Sequence, residues 1–371
     1  MKGYTLGLRV SPKLYKISLF LLFAVLTGCD NDSADGNFMD GVKESFTLED
    51  LGQAIPLKSK KLDLGIVLGP VNLFTHDSLL FISSTGRDVN LGVYNKNQEY
   101  KQLNDIIIAG QGPDEMLSVY RMFFEKDGSF WAHDIVAMNM KKFDLTLNQD
   151  TAYATMKEMV TFEVPSVTEA VPLSNGTIPT TTHDINPLKR FYVYDFNGKK
   201  IGTPSDYPTY ERKIPNTATV EVYSGHMVAH PEGNKFIMAY DYTDLIEIYD
   251  QSSVLQKRVQ GPHLFKPDFE LRQRGEYYFM RRLLGRTRQA YIKAVANSEH
   301  VMLLYANGRP RLEGEGEAGI HHNHIVMIDW NGKPVKMYEL DHAVSDFAVD
   351  CENSVIYGLD RIESEVYAFS F

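Results

Sequence analysis

Glu232-Gly233-Asn234-Lys235-Phe236-Ile237-Met238-Ala239 is a turn followed by an uninterrupted apolar run, and the chain repeats that pattern. Gly and Asn supply the backbone conformations a tight turn needs. A short Phe-Ile-Met run bounded by such residues suits a strand buried on both faces. Further copies are Asp77-Ser-Leu-Leu-Phe-Ile-Ser83, Asp127-Gly-Ser-Phe-Trp-Ala-His133 and Ser174-Asn-Gly-Thr-Ile-Pro-Thr180. Two more follow, Ser298-Glu-His-Val-Met-Leu-Leu-Tyr305 and Glu352-Asn-Ser-Val-Ile-Tyr-Gly358.

A second strand follows each copy after about fourteen residues, anchored at Tyr94, Phe143, Tyr194, Tyr249, Ile328 and Phe369. The anchors are 49, 51, 55, 79 and 41 residues apart. Such a period belongs to four-stranded blades, and six blades close a ring. One twisted blade leaves both faces apolar, so it must stack on two neighbours. A pair of β-sandwiches would need no such repetition. The expected fold is therefore all-β, a six-bladed β-propeller of four-stranded antiparallel blades. The 79-residue step marks an insertion within about 262–324, and a segment near Lys60–Val67 is expected to supply the strand that closes the ring.

The 371 residues are 43% hydrophobic and 23% charged, a globular composition without the bias of a disordered chain. A net charge of −10 argues against a nucleic-acid-binding surface. Residues 1–16 carry Lys2, Arg9, Lys13 and Lys16 and no acid, and an apolar run from Ile17 to Thr27 follows. At 1.5 Å per residue that run reaches roughly half of a bilayer core, which marks a signal-peptide core rather than a membrane span. Leu26-Thr27-Gly28-Cys29 resembles a bacterial lipobox, with small residues admitting the peptidase and a thiol for lipid attachment. The expected organisation is a signal peptide over 1–28, a flexible tether over 29–45 after the lipidated Cys29, and the propeller over 46–371. Removal of residues 1–28 leaves 34 basic residues against 48 acidic, a net charge of −14. The mature chain keeps one thiol, Cys351, and so no internal disulfide. The address is the Gram-negative cell envelope, with a lipid anchor in the outer membrane, periplasmic or surface-exposed, and a monomeric propeller.

Loops on one face of a propeller surround its axial channel, and the loop after each turn–strand copy should fall on a common face. Its residues are Arg87 and Asp88, His133 and Asp134, His183 and Asp184, Asp241 with Tyr242, Asn307 with Arg309, and Asp360 with Arg361. Convergent carboxylates and guanidinium groups would bind a cation, or clamp a sugar or peptide. Asp and Asn also suit hairpin turns for purely structural reasons. No cofactor is expected beyond a cation in the channel. Glu313, Glu315, Glu317 and His321, His322 and His324 form the densest run of metal-ligand types, and in an alternating strand His322 and His324 could share an ion. Arg272, Arg274, Arg281, Arg282, Arg286, Arg288 and Lys293 are a basic excess around Tyr277, Tyr278 and Phe279. They suit either an acidic partner or the solvated side of a short helix whose apolar side is Leu271, Tyr278 and Leu283. No G-x-S-x-G, H-E-x-x-H or Cys–His nucleophile pattern is present.

Gly110-Gln-Gly-Pro-Asp-Glu115, Ala290-Tyr-Ile-Lys-Ala-Val295, Met302-Leu-Leu-Tyr-Ala-Asn-Gly-Arg309, Asp346-Phe-Ala-Val-Asp350 and Ile356-Tyr-Gly-Leu359 resemble segments of the TolB-like six-bladed β-propeller lipoproteins. The resemblance covers about residues 60–371. It departs at Asp114, where the group tends to have glycine. It implies the propeller and an envelope address but no catalytic residues. The expected function is a lipid-anchored binding or scaffold protein for a glycan, peptide or protein partner. The alternative is a polysaccharide hydrolase or lyase using His and Asp residues in the channel.

Overall fold

The computed structural model describes residues 38–85, 89–164, 166–210, 213–314 and 319–371. These build six blade sheets, one for each repeat, and a separate two-stranded sheet. Blade 1 is Pro70–His76, Leu79–Ser84, Val89–Asn95 and Lys101–Ile108. Blade 2 is Arg121–Phe124, Phe130–Asp134, Asn139–Leu147 and Ala152–Thr161. Blade 3 is Val167–Ala170, Thr177–Thr182, Tyr192–Asp195 and Lys200–Gly202. Blade 4 is Gly225–Ala229, Lys235–Tyr240, Leu245–Asp250 and Leu255–Gln260. Blade 5 is Tyr291–Ala296, His300–Tyr305, His322–Asp329 and Pro334–Val344. Blade 6 is Asp346–Asp350, Val355–Asp360 and Glu365–Ser370, completed by Ser59–Lys61 from the other end of the chain. Pairing within every blade is antiparallel, and the first strands of successive blades lie against one another around the axis.

The apolar core is divided among the six junctions between blades. Phe81 and Val93 of blade 1 meet Phe130 and Phe143 of blade 2. Trp131 and Met140 meet Ile178 and Tyr194 at the next junction. Blade 4 shows why its second strand carries no polar alternation: Phe236, Met238 and Tyr240 pack toward blade 3, while Ile237 and Ala239 pack toward blade 5. The ring closes where Leu359 and Val366 of blade 6 meet Leu73 and Leu80 of blade 1. All six sequence anchors lie on third strands and are buried.

The N-terminal segment runs along the outside of three consecutive blades. Glu44–Ser45 pairs parallel with Val259 and Gln260 of blade 4, and Ile55–Leu57 pairs parallel with Tyr338–Leu340 of blade 5. Ser59–Lys61 then pairs antiparallel with residues 367–369 of blade 6. The closing strand thus lies at the start of the expected segment, and Leu62 continues it with a backbone bond to Val366. Within the segment expected as tether, Met39 is buried and its N–H donates to Gln260 Oε1 at 2.8 Å, and residues 29–37 lie outside the described residues.

The 262–324 insertion separates into two connections. Residues 261–290 join blades 4 and 5 and carry the hairpin Glu270–Arg274/Tyr277–Arg281, whereas 306–321 connect the second and third strands of blade 5. Arg272, Arg274 and Arg281 of the basic run therefore lie on a β-hairpin and not a short helix, while Lys293 lies on the first strand of blade 5. Leu271 and Met280 on the hairpin's inner side join the core, which leaves the arginines on the outer side.

A candidate binding site on the propeller axis

Each first strand carries a polar residue that is followed by three residues without charge. These residues are Asn72, Arg121, Glu169, His226, Lys293 and Asp346. Their Cα partners are Ser83, His133, Thr181, Ala239, Leu304 and Leu359. Each partner is the penultimate residue of its second strand, so the six positions are structurally equivalent. Together they form a polar ring around the axis. Beside His226, Gly225 lets the first and second strands of blade 4 lie close together, since a Cβ there would sit 2.2 Å from the Ala239 carbonyl oxygen.

The ring is cross-linked. Arg121 Nη2 donates to Glu169 Oε1 at 2.9 Å and stands 2.8 Å from His226 Nδ1. Glu169 Oε2 accepts the Met227 N–H, and Tyr120 donates its hydroxyl to Oε1. His226 Nε2 lies 3.1 Å from Asp241 Oδ1. Across the axis, Lys293 Nζ is 2.6 Å from Asp346 Oδ1, and Asp346 Oδ2 accepts the Leu73 N–H at 2.6 Å. Asn72 Nδ2 reaches the Val119 carbonyl.

Burial and charge oppose each other at these groups. Burial works against the Glu169 carboxylate, but Arg121 and His226 hold its pKa down to about 2. Burial likewise disfavours a charged His226, and Asp241 and Glu169 outweigh it, so its pKa rises. At Lys293 burial wins over the attraction of Asp346, and with Arg121 and Arg361 also opposing the charge the pKa falls to about 8.

Below the ring the axis opens into a funnel of about 940 Å³. Its mouth is framed by turns joining first to second strands, at Lys126, Ser174 and Glu232, and Arg121 and Lys293 stand at its inner end. Ala229, Ala296, Val228 and Val295 line the wall, with Phe123, Phe196, Trp131 and Lys142 on one side. A cavity of this size, with apolar walls and a few charged groups, suits a small polar ligand or the end of a larger one.

Of the described residues expected to converge, His133, Asp134 and Asp360 end second strands, and His183, Asp184, Asp241, Tyr242, Asn307, Arg309 and Arg361 lie on the connections that follow, at the ring end of the axis. Their side chains mostly shape those connections. His133 is fully buried between Tyr120 and Phe162, and burial lowers its pKa to about 4. Asp134 is also buried and accepts from Leu117, Val136 and Ala137 N–H groups and from Ser118. The turn and the blade 1–2 linker thus take up Asp134, whereas His133 is enclosed by aromatic rings with neither ring nitrogen hydrogen-bonded. His183 is exposed, while Asp184 accepts from Asn186 N–H and Tyr192 hydroxyl. Asp241 joins the ring through His226, and the Tyr242 hydroxyl accepts from Arg282. Asn307 and Arg309 form an exposed turn. Asp360 lies between His321 and His342 at 3.0 and 3.1 Å and caps Ile362 and Glu363 N–H groups, and Arg361 reaches the Val71 carbonyl. Cys29, Arg87 and Asp88 lie outside the described residues.

Among the described residues, His322 and His324 included, no group of three or more His, Cys, Asp or Glu is placed to hold a metal ion, and Glu315 and Glu317 lie outside the described residues. Burial lowers the pKa values of His322 and His324, that of His322 to about 4. The Gly110–Glu115 segment is a structural turn, with Glu115 Oε2 accepting the Gly112 N–H and Lys141 Nζ donating to the Gly112, Pro113 and Glu115 carbonyls. Asp114, the departure from the expected motif, accepts the Met156 N–H and ties the turn to blade 2.

The polar ring was missed because each member lies upstream of the repeated turn, in a strand that is otherwise apolar. A signal for it is present: Asn72-Leu-Phe-Thr, Arg121-Met-Phe-Phe, Glu169-Ala-Val-Pro, His226-Met-Val-Ala, Lys293-Ala-Val-Ala and Asp346-Phe-Ala-Val share one pattern.

Solved structures of similar fold include a Bacteroides fragilis protein described as exported, 12% identical, with a TM-score of 0.50 over 88% of this chain and 98% of that one. A member of the duf4221 family from Bacteroides vulgatus is 9% identical, with a TM-score of 0.54 over 86% of this chain and 97% of that one. No curated protein sequence matches the chain. The family model for TolB-like 6-blade propeller-like proteins matches residues 50–352, and with six blades closed as described the chain belongs to that family.

Proposed function

We propose that this is a lipid-anchored envelope protein, attached to the outer membrane through Cys29, whose propeller binds a glycan, peptide or protein partner in the axial funnel. The observation that carries the reading is the 940 Å³ funnel with Arg121 and Lys293 at its inner end. First strands of blades 1, 2, 4, 5 and 6 hold its wall, so a ligand would meet a preformed surface and little ordering cost. The basic, lipobox-like N-terminus supports the address, as does the description of the Bacteroides fragilis neighbour as exported. The hydrolase or lyase alternative gains no support from His133 and His183, since one is buried and the other exposed on a different blade.

The test is a glycan and peptide array probed with residues 38–371, followed by Ala229→Trp and Ala296→Trp, which fill the funnel from two blades. Binding that is lost in both variants, at unchanged far-UV circular dichroism, supports the assignment. Binding that survives both places the ligand elsewhere, and turnover of a polysaccharide without stable binding favours the enzyme.

A further inference from the structure

The hairpin Glu270–Arg274/Tyr277–Arg281 presents two unlike sides. Leu271 and Met280 pack inward, and the Tyr278 and Met280 N–H groups donate to Thr217 Oγ1 and Glu221 Oε2 of the short helix Asn216–Val222. The outer side is exposed throughout: Arg272 stands opposite Phe279, and Arg274 opposite Tyr277. Tyr277 is 67% exposed, and Leu284, just beyond the hairpin, is 60% exposed. Arg281, paired with Glu270 at 3.4 Å, and Arg282 follow, so residues 270–282 hold four arginines against Glu270 and Glu276. On a chain of net charge −10 this is a local reversal of sign combined with unburied aromatic rings.

The start of the described chain packs into the apolar cluster that also receives this hairpin. Met39 and Val42 belong to the same apolar cluster as Phe269, Leu271 and Met280. The chain from Cys29 to Phe38 spans at most about 30 Å when fully extended. A lipid on Cys29 would therefore keep the hairpin within a few tens of ångströms of the bilayer. Exposed arginines are attracted to anionic headgroups, and Tyr and Phe rings settle at the headgroup–acyl boundary.

From this we infer that the outer side of the hairpin, with Arg272, Arg274, Tyr277 and Phe279 as its centre, docks on the anionic phospholipid surface to which the chain is tethered. The inference rests on the lipid-anchor reading for its geometry, but its test does not. Residues 38–371 contain every blade strand and all six junction cores, so they serve as the soluble form.

The experiment is flotation of residues 38–371 with phosphatidylcholine vesicles, with and without 40% phosphatidylglycerol, beside retention on immobilised polyuronate. Expected is binding only to the anionic vesicles, weakened by salt. The double variant Arg272→Glu/Arg274→Glu should weaken it at least tenfold, Tyr277→Ser/Phe279→Ser severalfold, and Lys333→Glu on a distant turn not at all, with thermal midpoints unchanged. Failure to bind anionic vesicles, vesicle binding that ignores the hairpin variants, or retention on polyuronate without vesicle binding each overturns the proposal. Lipid labelling of the full chain, compared with Cys29→Ser, reads the anchor separately. Labelling without vesicle docking sinks the hairpin role alone, and docking without labelling sinks the anchor alone.

Discussion

Lys293 Nζ and Asp346 Oδ1 meet at 2.6 Å on the first strands of blades 5 and 6, with side chains only 6% and 3% exposed. The same carboxylate takes the Leu73 N–H of blade 1, so one side chain ties three blades together. Removing one member of a buried pair strands the other charge, which costs about 3–5 kcal/mol. Asp346→Ala should therefore lower the urea-unfolding free energy by about that amount. A loss below about 1 kcal/mol would show that the pair contributes little to ring closure.

Glu169 gives the fold an acid limit. Its pKa is held at about 2 in the folded chain, below the ordinary value of 4.5, so the folded state binds this proton less readily than the unfolded chain. The stability it supplies is complete above about pH 4.5 and disappears as the pH falls toward 2. By linkage it amounts to about 3 kcal/mol. Glu169→Gln should be less stable at pH 7 and show a flatter decline between pH 4.5 and 2. Parallel curves for the two proteins would remove Glu169 from the account.

Lys293 acts at the other end of the scale. Its pKa falls to about 8 from the ordinary 10.5, so between these values the unfolded chain holds a proton that the folded chain has released. Its contribution to stability must then rise with pH across that window. Lys293→Met should lack the rise, and unfolding midpoints measured at pH 7.5, 9 and 10.5 would show the difference.

The closing strand predicts the effect of truncation. A chain beginning at Leu64 lacks Ser59–Lys61 and leaves Glu365–Ser370 as an unpaired edge. An open, apolar edge invites pairing with other chains. Such a truncation should populate oligomers in size-exclusion chromatography and lose its cooperative thermal transition, whereas a chain beginning at Phe38 should remain monomeric and melt in one step.

The blades were legible in the sequence because each has to be apolar on both sides, which makes the second and third strands stand out as runs bounded by turns. Phe236 and Tyr249, opposite each other in blade 4, show how directly the anchors report pairing. The funnel was harder to read. It is defined by which end of the first strands a turn closes, and turn residues such as Asp134 and Asp184 look the same whether they hold a loop or await a ligand. The hairpin resembled a helix because Leu271, Tyr278 and Leu283 fit a wider spacing. The helix Asn216–Val222 decides the matter by receiving the Tyr278 and Met280 N–H groups through side chains far away in sequence.

The strand-by-strand path of residues 44–61 over blades 4, 5 and 6 also sets how the molecule can carry load. A pull on the N-terminus, such as a moving membrane or a bulky partner would exert, meets the outer strands of three blades in turn before it reaches the first strand of blade 1. The fastening that completes the ring is thus the last of the three to be strained, and blade 1 feels the pull only after it.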